Sequence, residues 1–157
     1  MQSQHRSALR TIVTTLENQP LNWAITGSLG FALQGVAVAV HDIDLQTDRA
    51  SAYAIQRLFA DHMTRAVQFS AAESIRSHFG AFELNGVTVE IMGDIQKKLA
   101  DGTWEAPINP QDHRVWVAWE GLRVPVLSLD YEYQAYLKLG RLEKAALLKR
   151  YLDTDDD

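Results

Sequence analysis

Residues 23–48, "WAITGSLGFALQGVAVAVHDIDLQTD", pass from an apolar run into Gly27-Ser28, then a helix-like stretch, then two aspartates flanking one isoleucine. Trp23 to Thr26 is short and apolar and predicts a buried strand. Ser28 is suited to cap a short helix through Gln34, and Gly35 is suited to stop it. "HDIDLQT" predicts a second strand. Its alternation sends Ile43 and Leu45 to one face and Asp42, Asp44 and Gln46 to the other. Two like charges this close oppose each other unless something offsets them.

A divalent cation is one such offset. Mg²⁺ takes oxygen ligands, keeps several waters, and uses one or two carboxylates together with substrate phosphates. A third carboxylate from a neighbouring strand extends the site to a second ion. Glu90 is the candidate, on the polar side of "VTVEIM", with Glu83 and Asp94 as weaker substitutes. An isolated D-x-D is more often a solvated strand face. Gly27-Ser28 shifts that balance, because a strand-to-helix turn offers N–H groups, and the serine a hydroxyl, to an anion.

The flanking chain predicts an α+β domain. Leu9, Ile12, Val13 and Leu16 form one helical stripe in Ser3 to Gln19. A further helix is expected near 49–62, capped by Thr47 or Asp48, and a strand at 64–69. Asn85-Gly86 is a strong hairpin signal, and Glu120-Gly121 predicts a second hairpin. Lys97 to Pro110 reads as loop with a short helical start. Tyr131 to Leu152 reads as one helix, capped by Ser128 or Asp130, with Lys138 and Arg141 three apart on one face. The expected architecture is one mixed, twisted sheet of about five strands, with helices packed mainly on one face.

Composition narrows the function. The 157 residues suit a single domain, with 153–157 as a frayed acidic tail. The net charge of −5 argues against a long nucleic-acid acceptor, which needs a basic track. The absence of cysteine excludes disulfides, zinc–thiolate sites and thiol nucleophiles. No apolar run reaches the roughly 18 residues of a membrane helix, and the start lacks a signal-peptide core, so a cytoplasmic protein is expected. None of the five histidines is paired at metal-ligand spacing.

An apolar strand, Gly27-Ser28, a short helix and "DIDL" in that order resemble the nucleotidyltransferase superfamily with the DNA polymerase β-like palm. Glu90 matches the third family acid. "VPVLSLDYEYQAYLKLGRLEKAALL" looks like the family's substrate-site helix, with Lys138 and Arg141 matching its Lys and Arg. The chain departs from many small relatives at Val38 and Val40, where they carry Arg and Thr. The resemblance implies transfer of a nucleoside monophosphate from a nucleoside triphosphate to an acceptor, with release of pyrophosphate. Asp42, Asp44 and Glu90 would hold Mg²⁺ or Mn²⁺, Glu90 would also act as general base, and Gly27, Ser28, Lys138 and Arg141 would bind phosphates. The acceptor is open between a small molecule such as an antibiotic, a protein side chain and a tRNA end. A homo-oligomer could complete the cleft. Two other classes stay open: a nucleotide-binding regulatory pseudo-enzyme acting through a protein partner, and an unrelated α+β domain with surface acids.

Overall fold

The computed structural model describes residues 1–155. The chain runs α1 (Ser3–Leu16), β1 (Trp23–Thr26), α2 (Gly27–Leu33), β2 (Ile43–Thr47), α3 (Arg49–Leu58), β3 (Met63–Ala71), β4 (Ile75–Leu84) and β5 (Val87–Lys97). It continues with β6 (Arg114–Trp119), β7 (Leu122–Leu127), α4 (Leu129–Lys138) and α5 (Leu142–Asp155). One mixed sheet of seven strands has the order β3-β4-β5-β2-β1-β7-β6. The expected count of about five is therefore too low. Both hairpins join the same sheet, because β5 pairs parallel with β2 and β7 pairs parallel with β1.

The main core lies on the face carrying Ile25, Ile43, Leu45, Val89, Ile91 and Val126, packed against Leu9 and Ile12 of α1 and Ile55 of α3. This is the helix-covered face the alternation predicts. The opposite face is not left bare. Thr26 emerges there and donates its hydroxyl hydrogen bond to Glu132 of α4. A second cluster of Phe31, Val36, Leu129 and Leu148 joins α2 to the α4–α5 pair. Helices thus occupy both faces, which corrects the expectation of one covered face.

Local chemistry sets the breaks. Asn85 and Gly86 have φ of 51° and 79°, and Glu120 and Gly121 have 46° and 79°, so each pair forms a turn with two positive φ values. The Asp48 side chain caps α3 by accepting from Ser51 N–H at 2.8 Å, and Ser128 caps α4 by accepting from Tyr131 N–H at 3.1 Å. The predicted helix over 131–152 is two helices. Gly140 adopts φ 74°, its N–H bonds Leu137 O at 3.1 Å, and Arg141 N–H bonds Tyr136 O at 2.9 Å. That left-handed cap closes α4 before α5 begins. The expected helical start at Lys97 is instead strand end and loop, with a bridge between Lys98 and Trp104. In the tail, α5 continues through Asp155, with Lys149 paired to Asp153 at 3.2 Å. Positions 156 and 157 lie outside the described residues.

Edge strand β3 is irregular. Its register with β4 shifts between Met63 and Arg65 and again between Arg65 and Gln68. Gly80 makes the second shift possible. A Cβ there would meet Val67 Cγ2 at 2.6 Å and Val67 Cα and N at 2.9 Å. Backbone cannot yield as a flexible side chain can. Gly80→Ala is therefore expected to cost about 2–3 kcal/mol in urea unfolding. A loss under about 0.5 kcal/mol, within the range of ordinary surface changes, would contradict this account of the bulge.

Candidate active site

β1 and β2 run antiparallel, with Thr26 opposite Asp44, and β2 and β5 run parallel, with Asp44 opposite Glu90. Paired residues on adjacent strands project to the same side. Asp44 and Glu90 therefore stand side by side, and Asp42 enters from the segment before β2. The Asp42 and Glu90 carboxyls share a hydrogen bond. Gly27 lies directly below this group. A Cβ on Gly27 would sit 2.5 Å from Asp44 Oδ2, and its φ of 70° is unfavourable for a residue bearing one. Glycine is required here by the close approach and by the left-handed backbone together.

A cavity of about 540 Å³ joins these residues to Ser28, Phe31, Tyr136, Arg141 and Lys144. Its acidic side is Asp42, Asp44 and Glu90. Two cations that share one ring line the same cavity, with Arg141 Cζ 5.5 Å and Lys144 Nζ 5.6 Å from the Tyr136 centroid. Ser28 Oγ accepts from His41 N–H at 3.2 Å, which leaves its own O–H to donate. The helix capped at this turn begins at Gly27, so Thr26 rather than Ser28 holds the N-cap position.

Lys138 is elsewhere. It ends α4, pairs with Glu105 at 3.0 Å, and lines a separate, larger cavity of about 770 Å³ together with Lys97 and Tyr131. That cavity holds none of the three acids. The break at Gly140 separates Lys138 from Arg141, so the shared helix face expected for them does not exist. Lys144, one turn beyond Arg141 on α5, stands where Lys138 was expected. The substitutes for Glu90 are also elsewhere: Asp94 Oδ1 accepts from Arg49 N–H at 2.9 Å, and Glu83 is exposed. Val38 and Val40 pack against the second and first hydrophobic clusters, where an arginine or threonine would place polar groups among apolar ones.

Glu132 is the residue the sequence reading missed. It is 5% exposed. It accepts from the Thr26 hydroxyl and from Gly27 N–H, with Lys97 and Lys144 as nearby cations. Gly27 N–H thus lowers the cost of burying the Glu132 carboxyl. A single glutamate in an amphipathic helix carries no sequence signal for this role.

Charge accumulates at the site. Asp44 is pushed up to about 7, first by burial and then by the charges of Glu90, Asp42 and Glu132. Glu90 is raised by burial, then by the Asp42 charge and their hydrogen bond, while Arg65 draws it down. Burial also pushes Glu132 up to about 7, although its hydrogen bonds and both lysines oppose the rise. These oxygen donors and their mutual repulsion suit a hard cation such as Mg²⁺ or Mn²⁺. Among the described residues no three acid or histidine side chains close into a cage by themselves. An ion completed by water and substrate phosphate needs no such cage.

Folded Asp44 keeps its proton to about pH 7, whereas the unfolded carboxyl releases it near 3.8. The folded state binds more protons between those values, so the contribution of Asp44 to stability is fully present below about pH 4, falls as pH rises, and is lost above about 7. In metal-free buffer the Tm is expected to fall on the order of 5 °C across that window. Asp44→Asn should flatten the fall, leaving the part due to Glu132. Equal slopes in the two proteins would refute the electrostatic account.

No curated protein matches the chain. Among solved structures, a Thermotoga maritima protein assigned to the nucleotidyltransferases is 51% identical, with 98% of this chain and 96% of that one covered and a TM-score of 0.86. A lincosamide antibiotic adenylyltransferase with lincomycin bound is 15% identical, covers 91% and 95%, and has a TM-score of 0.58. ANT(2'')-Ia in complex with adenylyl-2''-tobramycin is 15% identical, covers 98% and 92%, and has a TM-score of 0.61. The last two share the fold. The family model for aminoglycoside-2''-adenylyltransferases matches residues 8–147. This chain belongs to that family, within the nucleotidyltransferase superfamily.

Proposed function

We propose that the cleft transfers a nucleoside monophosphate, adenylate in the first instance, from a nucleoside triphosphate to an acceptor hydroxyl. The observation that carries this reading is that Asp42, Asp44 and Glu90 line one cavity together with Arg141 and Lys144. Acids alone suit a metal and cations alone suit an anion; a metal–triphosphate uses both.

Bound Mg²⁺ or Mn²⁺ supplies charge neutralisation to the triphosphate and lowers the pKa of the acceptor hydroxyl. Asp42 and Asp44 would hold the ion, with Glu90 completing the oxygen set. The acceptor oxygen forms a bond to the α-phosphorus as the bond to the bridging oxygen breaks. That oxygen leaves with the electron pair as part of pyrophosphate. Glu90, raised by burial and by Asp42, takes the acceptor proton. Lys144 and Arg141 meet the charge on the departing phosphates, and Ser28 donates its hydroxyl to them. Gly27 contributes by its missing side chain, which leaves room beside Asp44. Phe31, Val38 and Leu147 form the apolar wall for the base. The lincomycin and adenylyl-tobramycin in the neighbouring structures support a small-molecule acceptor.

Titration calorimetry with α,β-methylene-ATP tests the binding half. Binding is expected with Mg²⁺ and not without it. It should be lost in Asp44→Asn, weakened roughly tenfold in Lys144→Ala, and changed less than about twofold in Lys138→Ala. Metal-independent binding, or loss in the Lys138 variant rather than the Lys144 variant, would overturn the site. Pyrophosphate release from ATP with an acceptor panel tests the chemistry. Silence across the panel despite tight binding would favour a regulatory nucleotide-binding protein.

A further inference from the structure

The row that starts at Thr26 does not end at Glu90. Glu90 pairs with Ala81 of β4, and Ala81 pairs with Arg65 of β3. Thr26, Asp44, Glu90, Ala81 and Arg65 therefore lie in one line across five strands, on the face opposite the main core. Strands are spaced about 4.8 Å apart, so Arg65 stands roughly 10 Å beyond Glu90. Ala81 offers only a methyl between them.

Arg65 is held rather than loose. Register shifts flank it on both sides, and bulges re-aim side chains. Its Cζ lies 4.8 Å from the Phe79 ring centroid, and Phe79 shares its face because it is two residues from Ala81. The stacked guanidinium is exposed. Among the described residues no carboxylate lies within ion-pair distance of it. Glu83, two residues from Ala81 on β4, lies nearer the Asn85-Gly86 turn.

This placement bears on the acceptor. The triphosphate occupies the Arg141–Lys144 side, so the nucleophile approaches Glu90 from the other side, over Ala81. Resting on the transfer reading above, we propose that Arg65 recognises an anionic group of the acceptor, which is a hydroxyl compound bearing a phosphate or carboxylate within roughly 10 Å of the reacting oxygen. A fixed guanidinium with free donors binds either group in a bidentate manner. It offers no acceptor to the ammonium groups of an aminoglycoside. An acceptor of this kind differs in charge from the one for which the family is named.

The test varies charge on one scaffold. ¹⁵N-labelled protein is first saturated with Mg²⁺ and α,β-methylene-ATP, so that the triphosphate site is filled. Glucose 6-phosphate, glucose and tobramycin are then titrated separately, and amide shifts are followed in β3, β4 and β5. Glucose 6-phosphate is expected to shift these amides, and glucose and tobramycin to do so at least tenfold more weakly. Arg65→Gln should weaken glucose 6-phosphate roughly tenfold while retaining the nucleotide, and Arg123→Gln, at a remote surface arginine, should leave both unchanged. Equal binding of glucose 6-phosphate by wild type and Arg65→Gln, no shifts in these strands, or tighter binding of tobramycin there would overturn the proposal. Failure of the nucleotide itself to bind would remove the transfer reading instead, so the two failures are distinguishable.

Discussion

Parallel pairing of β2 with β5 is the constraint on which the site depends. It sets Asp44 opposite Glu90, and a slip of one residue would turn one of them into the apolar core. Ile43, Leu45, Val89 and Ile91 oppose such a slip because all four are fully buried on the other face. The burial of four branched side chains is therefore what holds two carboxylates together. Each favours the charged state of the other poorly, and the pair persists because moving it would expose the core.

Glu132 is a second constraint, from the opposite side of the sheet. A buried carboxyl is costly unless its oxygens are hydrogen-bonded. The Thr26 hydroxyl and Gly27 N–H supply those bonds, and doing so fixes the turn beneath Asp44. The same residue stands between two cavities. Lys97 on one side and Lys144 on the other both feel its charge. The turn thus presents the cavity with a hydroxyl and an absent side chain, while its first N–H serves the interior.

Much of the frame was legible from residue order. The alternation in "HDIDLQT" and "VTVEIM" placed apolar residues inward, and the Asn85-Gly86 and Glu120-Gly121 turns formed where short-range chemistry demands positive φ. The break at Gly140 carried a signal too, a glycine inside a helical pattern, but periodicity on both sides hid it. That one omission misplaced Lys138. The unbroken helix put Lys138 and Arg141 on one face, whereas the left-handed cap redirects the chain, leaves Lys138 with Glu105, and brings Lys144 into the cavity.

By itself the sequence determined which residues are paired locally: Asp42 with Asp44, glycine with serine at the turn, and the turn residues of each hairpin. Spacing and backbone preference act over a few residues, so these are readable without coordinates. Only the tertiary structure decided that both hairpins join one seven-stranded sheet, that Glu132 lies under the turn, and that Arg65 ends the row begun by Thr26. Those relations join residues distant in the chain, and they are set by strand order, by a bulge beside Gly80 and by core packing. No local pattern encodes them.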